Sequence, residues 1–107
     1  MVTKQKKKEM SKFQELINST TPVLIDFHAT WCGPCQTMHP VVDDLKNEFK
    51  EGLRIIKIDV DKNAAISAKY KVQSVPTFLL FKEGEILWRG AGIQTRADFK
   101  KLIKAKI

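Results

Sequence analysis

Apolar residues at Met10, Phe13, Leu16 and Ile17 recur at the spacing of one helix face. Turn-forming residues from Asn18 to Pro22 end that pattern. Pro22 to His28 then reads as a strand, and Gly33 to Phe49 as a helix with Met38, Val41, Val42, Leu45 and Phe49 on one side. Pro40 lies inside this helix, where it removes a backbone donor and is expected to bend it. Arg54 to Val60 is β-branched and apolar, a second strand; Ala64 to Tyr70 is a short helix; Pro76 to Phe81 is a third strand. Lys82 to Glu85 is a hairpin turn leading into Ile86 to Arg89. Thr95 caps a last helix, Ala97 to Ile107, with Asp98 three residues on. Helical crossovers between the first three strands predict parallel pairing, and the final hairpin must be antiparallel. The expected fold is α/β, a mixed sheet with helices on both faces. No strand is evident in residues 1–9, a basic segment read as helical or disordered.

At 107 residues the chain is expected to be one domain. No apolar run approaches the ~20 residues that span a bilayer, so no membrane association is expected. The formal charge of +7 is concentrated at the two ends, with five lysines in residues 1–12 and five basic residues in 96–106. No aromatic interleaving or binding motif accompanies them, so solvated helices are preferred over a nucleic-acid surface. The lysine-rich start has no apolar h-region after it, which leads to an expectation of a cytoplasmic protein. Two cysteines are too few for a disulfide scaffold.

Those two cysteines carry the chemistry. Trp31-Cys32-Gly33-Pro34-Cys35 stands where the first strand gives way to a helix, and a Cys-x-x-Cys at such a junction points to a redox dithiol. Cysteines at i and i+3 on a helix share a face, with α-carbons roughly 5–6 Å apart, within disulfide range. The positive end of the helix favours a thiolate on Cys32. Cys35, one turn further in, is expected to be the more buried. Gly33 permits a tight entry and Pro34 suits a first turn that needs no donor. Cys32 can then attack a substrate disulfide, and Cys35 can displace the product. Asp26 interrupts an apolar strand and is the candidate base, with a carboxyl raised by burial. Lys57 interrupts the next strand and could pair with it. The alternative is that both are strand charges on a solvated face.

Together with Asp26-Phe27, Pro40, Lys57, Asp59, Val75-Pro76-Thr77, Phe81 to Glu85 and Gly92, the dithiol motif resembles the thioredoxin family from about Phe13 to the C-terminus. The resemblance implies a thioredoxin fold and a protein-disulfide reductase. It implies Cys32 as nucleophile, Cys35 as resolving thiol, Asp26 as buried acid–base group and Lys57 as its modulator. It implies a cis Pro76 facing the dithiol. Trp31, Gly33, Pro34, Val75, Pro76, Ala91, Gly92 and Ile93, with Thr77 beside them, would form the docking surface. The implied partners are protein disulfides and a flavin-dependent thioredoxin reductase drawing on NADPH. No bound cofactor and no metal are expected, and a monomer is expected.

Three departures stand out: His28 where the family usually has an aromatic residue, lysines in place of the usual first strand, and a more basic surface. A protonated His28 behind the dithiol would further stabilise the Cys32 thiolate; the simpler reading is that it fills the aromatic slot. Three other functions compete. His28, Cys32, Cys35 and His39 would suffice for tetrahedral zinc. The fold could serve as a redox-inert docking module. Within the redox class, a disulfide oxidase or isomerase is the runner-up. Trp88 and Tyr70 are read as packing, Met38 as helix core and His39 as a solvated position beside Pro40.

Overall fold

The computed structural model describes residues 4–107, with side chains from Lys7 onward. In chain order the elements are α1 (Lys4–Ile17), β1 (Val23–His28), α2 (Gly33–Phe49), β2 (Arg54–Asp59), α3 (Ala64–Lys69), β3 (Thr77–Lys82), β4 (Glu85–Ala91) and α4 (Arg96–Lys106). The helical pattern that begins at Met10 extends back to Lys4, so most of the basic segment is helix; residues 1–3 lie outside the described residues. The strands form one sheet in the order β2-β1-β3-β4.

β1 and β2 are parallel, with Asp26 beside Lys57. The expected parallel alignment of the third strand is corrected: β3 runs antiparallel to β1, with Thr77 opposite Phe27. The connection explains it. α3 has six residues and rises only about 9 Å, whereas a six-residue strand runs about 20 Å. The chain therefore stays at the end of the sheet where β2 finishes, and β3 starts from there. β4 returns through a tight turn in which Glu83 and Gly84 both take positive φ, 53° and 81°. That is the backbone of a type I′ hairpin.

Alternation along the strands sorts the core into two layers. Leu24, Phe78 and Leu80 pack with Met38, Val42 and Leu45 of α2 and Phe99 and Ile103 of α4. Val23, Ile25, Phe27, Leu79 and Phe81 pack on the other face with Phe13 and Ile17 of α1 and Ile66 of α3. Phe13, Tyr70 and Phe81 meet at centroid distances of 5.4–6.0 Å, each such pair adding about 0.5–1.5 kcal/mol beyond burial. The α4 cap forms as the sequence predicts, with Thr95 Oγ1 accepting from the Asp98 N–H at 3.2 Å. Lys100 and Lys104 of α4 sit 3.1 and 3.2 Å from Asp44 and Glu48 of α2, so part of the C-terminal charge is locally balanced. Among the described residues, no helix is long and apolar enough to cross a membrane.

Candidate active site

β1 ends at His28, and the chain turns through Ala29 and Trp31 into α2. Cys32 is the residue that caps α2: its backbone is extended (φ −86°, ψ 111°), and its sulfur accepts the Cys35 N–H at 3.1 Å. Pro34 occupies the first turn, where a missing donor costs nothing. Cys32 and Cys35 are joined as a disulfide with α-carbons 5.3 Å apart. Cys35 is the more buried, as expected, but by a small margin. The two are 3% and 2% exposed, because Ala29, Val60 and Val75 enclose Cys32 as well.

The loop before β3 closes the other side. The Val75–Pro76 bond is cis, and the Val75 carbonyl oxygen lies 3.5 Å from Cys32 Sγ. Pro76 O accepts the Gly92 N–H at 2.9 Å, so this loop and the one after β4 are tied together. Gly92 sits at φ 83°, where a side chain would be strained. Around the disulfide, Trp31 and Ile93 are 70% and 58% exposed, and Gly33, Pro34 and Ala91 are also open to solvent. A groove of about 130 Å³ runs beside them between Trp31, Val60, Val72 and Val75. Thr77 does not belong to this surface. It is buried and donates to Ser74 O at 2.7 Å, supporting the loop from beneath. Pro76 is buried too, and only its neighbours reach the surface.

Asp26 is 2% exposed and lies on the sheet face covered by α2. Burial pushes its carboxyl above the ordinary value of 3.8, against the opposing pull of His28, Lys57 and His39. The reading of Asp26 as a solvated strand charge is thereby excluded. Lys57 is not its ion-pair partner. The Lys57 ammonium sits 3.3 Å from His39 Nδ1 and 3.8 Å from Asp43 Oδ1, with 37% of its side chain exposed. At the outer strand of the sheet it keeps water and a solvated carboxylate, which is cheaper than desolvating to reach a buried one.

Sequence reasoning also missed three contacts. His39 is half-buried beside His28, with ring centroids 6.1 Å apart, rather than solvated. Its position four residues after Cys35, hence on the same helix face, was the available signal. Asp61 accepts the Trp31 indole N–H at 2.8 Å. Arg89 donates to the carbonyls of Tyr70 and Lys71, anchoring the segment that leads to Val75. The zinc reading needs four ligands in one place. Among the described residues no group of three or more His, Cys, Asp or Glu side chains is arranged to hold a metal.

A strand–helix dithiol facing a cis-proline loop can exchange disulfides with an extended chain lying across it. The family model described as Thioredoxin matches residues 3–105. The chain belongs to the thioredoxin family. A thioredoxin-like protein of Synechocystis is 44% identical over 86% of this chain and 89% of its own length. Chloroplastic thioredoxin Y1 of Arabidopsis thaliana is 44% identical over 84% of this chain, which spans about half of that relative (53%). Oxidised mitochondrial thioredoxin 3 of Saccharomyces cerevisiae superposes with a TM-score of 0.81 at 34% identity, covering 90% of this chain and 89% of that one. The named compartments differ among these relatives, so the cytoplasmic expectation does not follow from the family. The fold is the thioredoxin fold, here with four strands among the described residues, and the chain is a thiol–disulfide oxidoreductase with protein-disulfide reductase activity.

Proposed function

We propose that Cys32 is the nucleophile, Cys35 the resolving thiol and Asp26 the acid–base group of an electron carrier recharged by a thioredoxin reductase. The observation that carries this reading is the capping geometry at Cys32, whose sulfur faces the Cys35 N–H at the positive end of α2. Negative charge there is stabilised by the helix end and a backbone donor. The Cys32 thiolate attacks one sulfur of a substrate disulfide. A mixed disulfide forms, and the departing substrate thiolate takes up a proton. Cys35 gives its proton to Asp26 and attacks Cys32 Sγ. The Cys32–Cys35 bond closes, and the second substrate thiolate leaves. The substrate gains two electrons and two protons. The carrier loses two electrons and two protons, one given up when Cys32 ionised and one released afterwards from Asp26. A flavin reductase drawing on NADPH reverses the second change, so this chain needs no cofactor of its own.

Substrates are extended segments around an accessible disulfide. Trp31, Gly33, Pro34, Ala91 and Ile93 supply an apolar contact, with Val75 and Gly92 offering backbone. The carrier acts as a monomer. Reduction of insulin disulfides with a thioredoxin reductase and NADPH tests direction and electron source together. Multiple turnovers that need all three components are expected. Turnover with glutathione disulfide as oxidant and none with NADPH and reductase would instead favour the oxidase reading.

A further inference from the structure

The only two histidines of the chain meet, although they belong to different elements. His28 ends β1 and His39 lies on α2, and Lys57 reaches them from β2 with Nζ 3.3 Å from His39 Nδ1. A lysine ammonium only donates, so this contact uses the His39 tautomer in which Nδ1 is the acceptor and Nε2 carries the hydrogen. Asp43 Oδ1, on the same helix as His39, lies 3.8 Å from the same ammonium. Lys57 is also the ladder neighbour of Asp26, and paired residues of parallel strands point to one face. No ion pair joins the two among the described residues. A flexible four-carbon stem thus gives one ammonium two destinations, the rim of α2 or the buried carboxyl.

We propose that His39 is a positioning residue for the resolving half-reaction: with Asp43 it holds the Lys57 ammonium at the α2 rim, away from Asp26. The inference rests on the reading of Asp26 as acceptor of the Cys35 proton. In that step the thiol proton passes to the carboxylate, the sulfur electron pair forms the bond to Cys32 Sγ, and the Cys32–substrate bond breaks toward the substrate sulfur. A carboxylate paired with an ammonium is a poorer acceptor, since a cation within 4–6 Å lowers its pKa by about 1–3. Keeping Lys57 on His39 therefore keeps Asp26 basic. The groups that face Asp26 are His28 from β1, Lys57 from β2 and His39 from α2, with Asp43 behind His39; β3 presents Phe78 opposite it. The arrangement needs a hydrogen-bond acceptor at position 39.

His39 as a holder and His39 as a mere nearby cation predict opposite signs. The carboxyl carbon of Asp26 can be followed through a pH titration by carbon-13 NMR in the oxidised full-length chain, with Asp26→Asn to assign the signal. His39→Ala frees Lys57, and the midpoint is expected to fall by about one pH unit. His39→Gln keeps an acceptor at similar reach and is expected to stay near wild type. In a Lys57→Met background, His39→Ala is expected to cause no fall. An unchanged or raised midpoint in His39→Ala overturns the proposal, and so does a fall that persists without Lys57. The measurement involves no turnover. If Asp26→Asn resolved mixed disulfides at the wild-type rate, the acid–base reading would fail while the position of Lys57 was still reported.

Discussion

β1 and β3 are the two inner strands of the sheet, and they are built alike. Each has six residues, five buried and the last half-buried, and they pair antiparallel along their length. Their sequences differ in kind at two buried places: Thr77 of β3 opposes Phe27 with its hydroxyl satisfied by Ser74 O, and Asp26 alone brings a buried ionisable group. β3 reads Thr-Phe-Leu-Leu-Phe-Lys, while β1 sets Asp26 among Val, Leu, Ile and Phe, directly opposite Phe78. β3 indicates what β1 would be if it served packing alone. The fold does not require the carboxylate, and burial works against its charged form. Under the proposed acid–base role its place in the sheet is explained by the chemistry above it, whereas Phe78 is explained by the core beneath α2 and α4.

The largest effect should come from the dithiol that β1 delivers. Cys35→Ser is expected to lower multiple-turnover reduction by ~10³-fold or more, because the first attack remains and the second is lost. Mass spectrometry should then find substrate bound through Cys32. Continued turnover at more than a few per cent of wild type would contradict the assignment of Cys35 as resolving thiol. Next comes the packing side of the comparison. Phe78→Ala removes a fully buried ring that meets Phe99 at 5.0 Å and should cost about 3–5 kcal/mol in urea unfolding. Alkylation of Cys32 in the folded, reduced variant should stay within about twofold of wild type. A loss of stability below ~1 kcal/mol would mean that β3 is not the structural strand it is taken to be.

Asp26→Leu should do the reverse. Mixed-disulfide resolution is expected to slow about 10²-fold, while stability at pH 8 rises by on the order of 1–3 kcal/mol. The sign of its pH dependence follows from the raised carboxyl. Between 3.8 and its folded-state value, the folded protein holds a proton that the unfolded chain has released. Wild-type stability therefore falls as pH rises through that window, and the full penalty stands above it. The gain of Asp26→Leu over wild type should be largest at alkaline pH and shrink toward pH 4. A gain independent of pH would assign the effect to packing rather than to charge.

Much of this was legible in the sequence because local patterns encode it. The span of α2 follows from apolar periodicity, and the place of the dithiol follows from the change of period on either side of it. Burial of Asp26 could be read from its apolar neighbours. The direction of β3 could not be read from alternation, which is the same for a strand and its reverse; the short α3 was the usable clue. The partner of Lys57 was hidden for another reason. Strand register brings it beside Asp26, but the choice between a buried carboxyl and a rim imidazole depends on desolvation and on what α2 places nearby. His39 reads as solvated when judged by the proline beside it; the clue to its burial was its spacing of four residues from Cys35 on one helix face.

The smallest expected effect lies at His28, the half-buried last residue of β1, the position that Lys82 holds in the sequence of β3. A charged imidazole behind Cys32 would favour the thiolate, and an imidazole ordinarily gains its proton near pH 6.5. If His28 acts through charge, His28→Trp should slow Cys32 alkylation a few-fold at about pH 6 and leave it unchanged at about pH 8. If it only fills the space of an aromatic ring, the ratio of the two rates should be flat across that range. The pH dependence is the decisive quantity, because a change in packing alters both ends of the profile together. A flat ratio would leave Asp26 as the feature of β1 that separates it from β3, with the tuning of Cys32 then resting on the end of α2 and the Cys35 N–H.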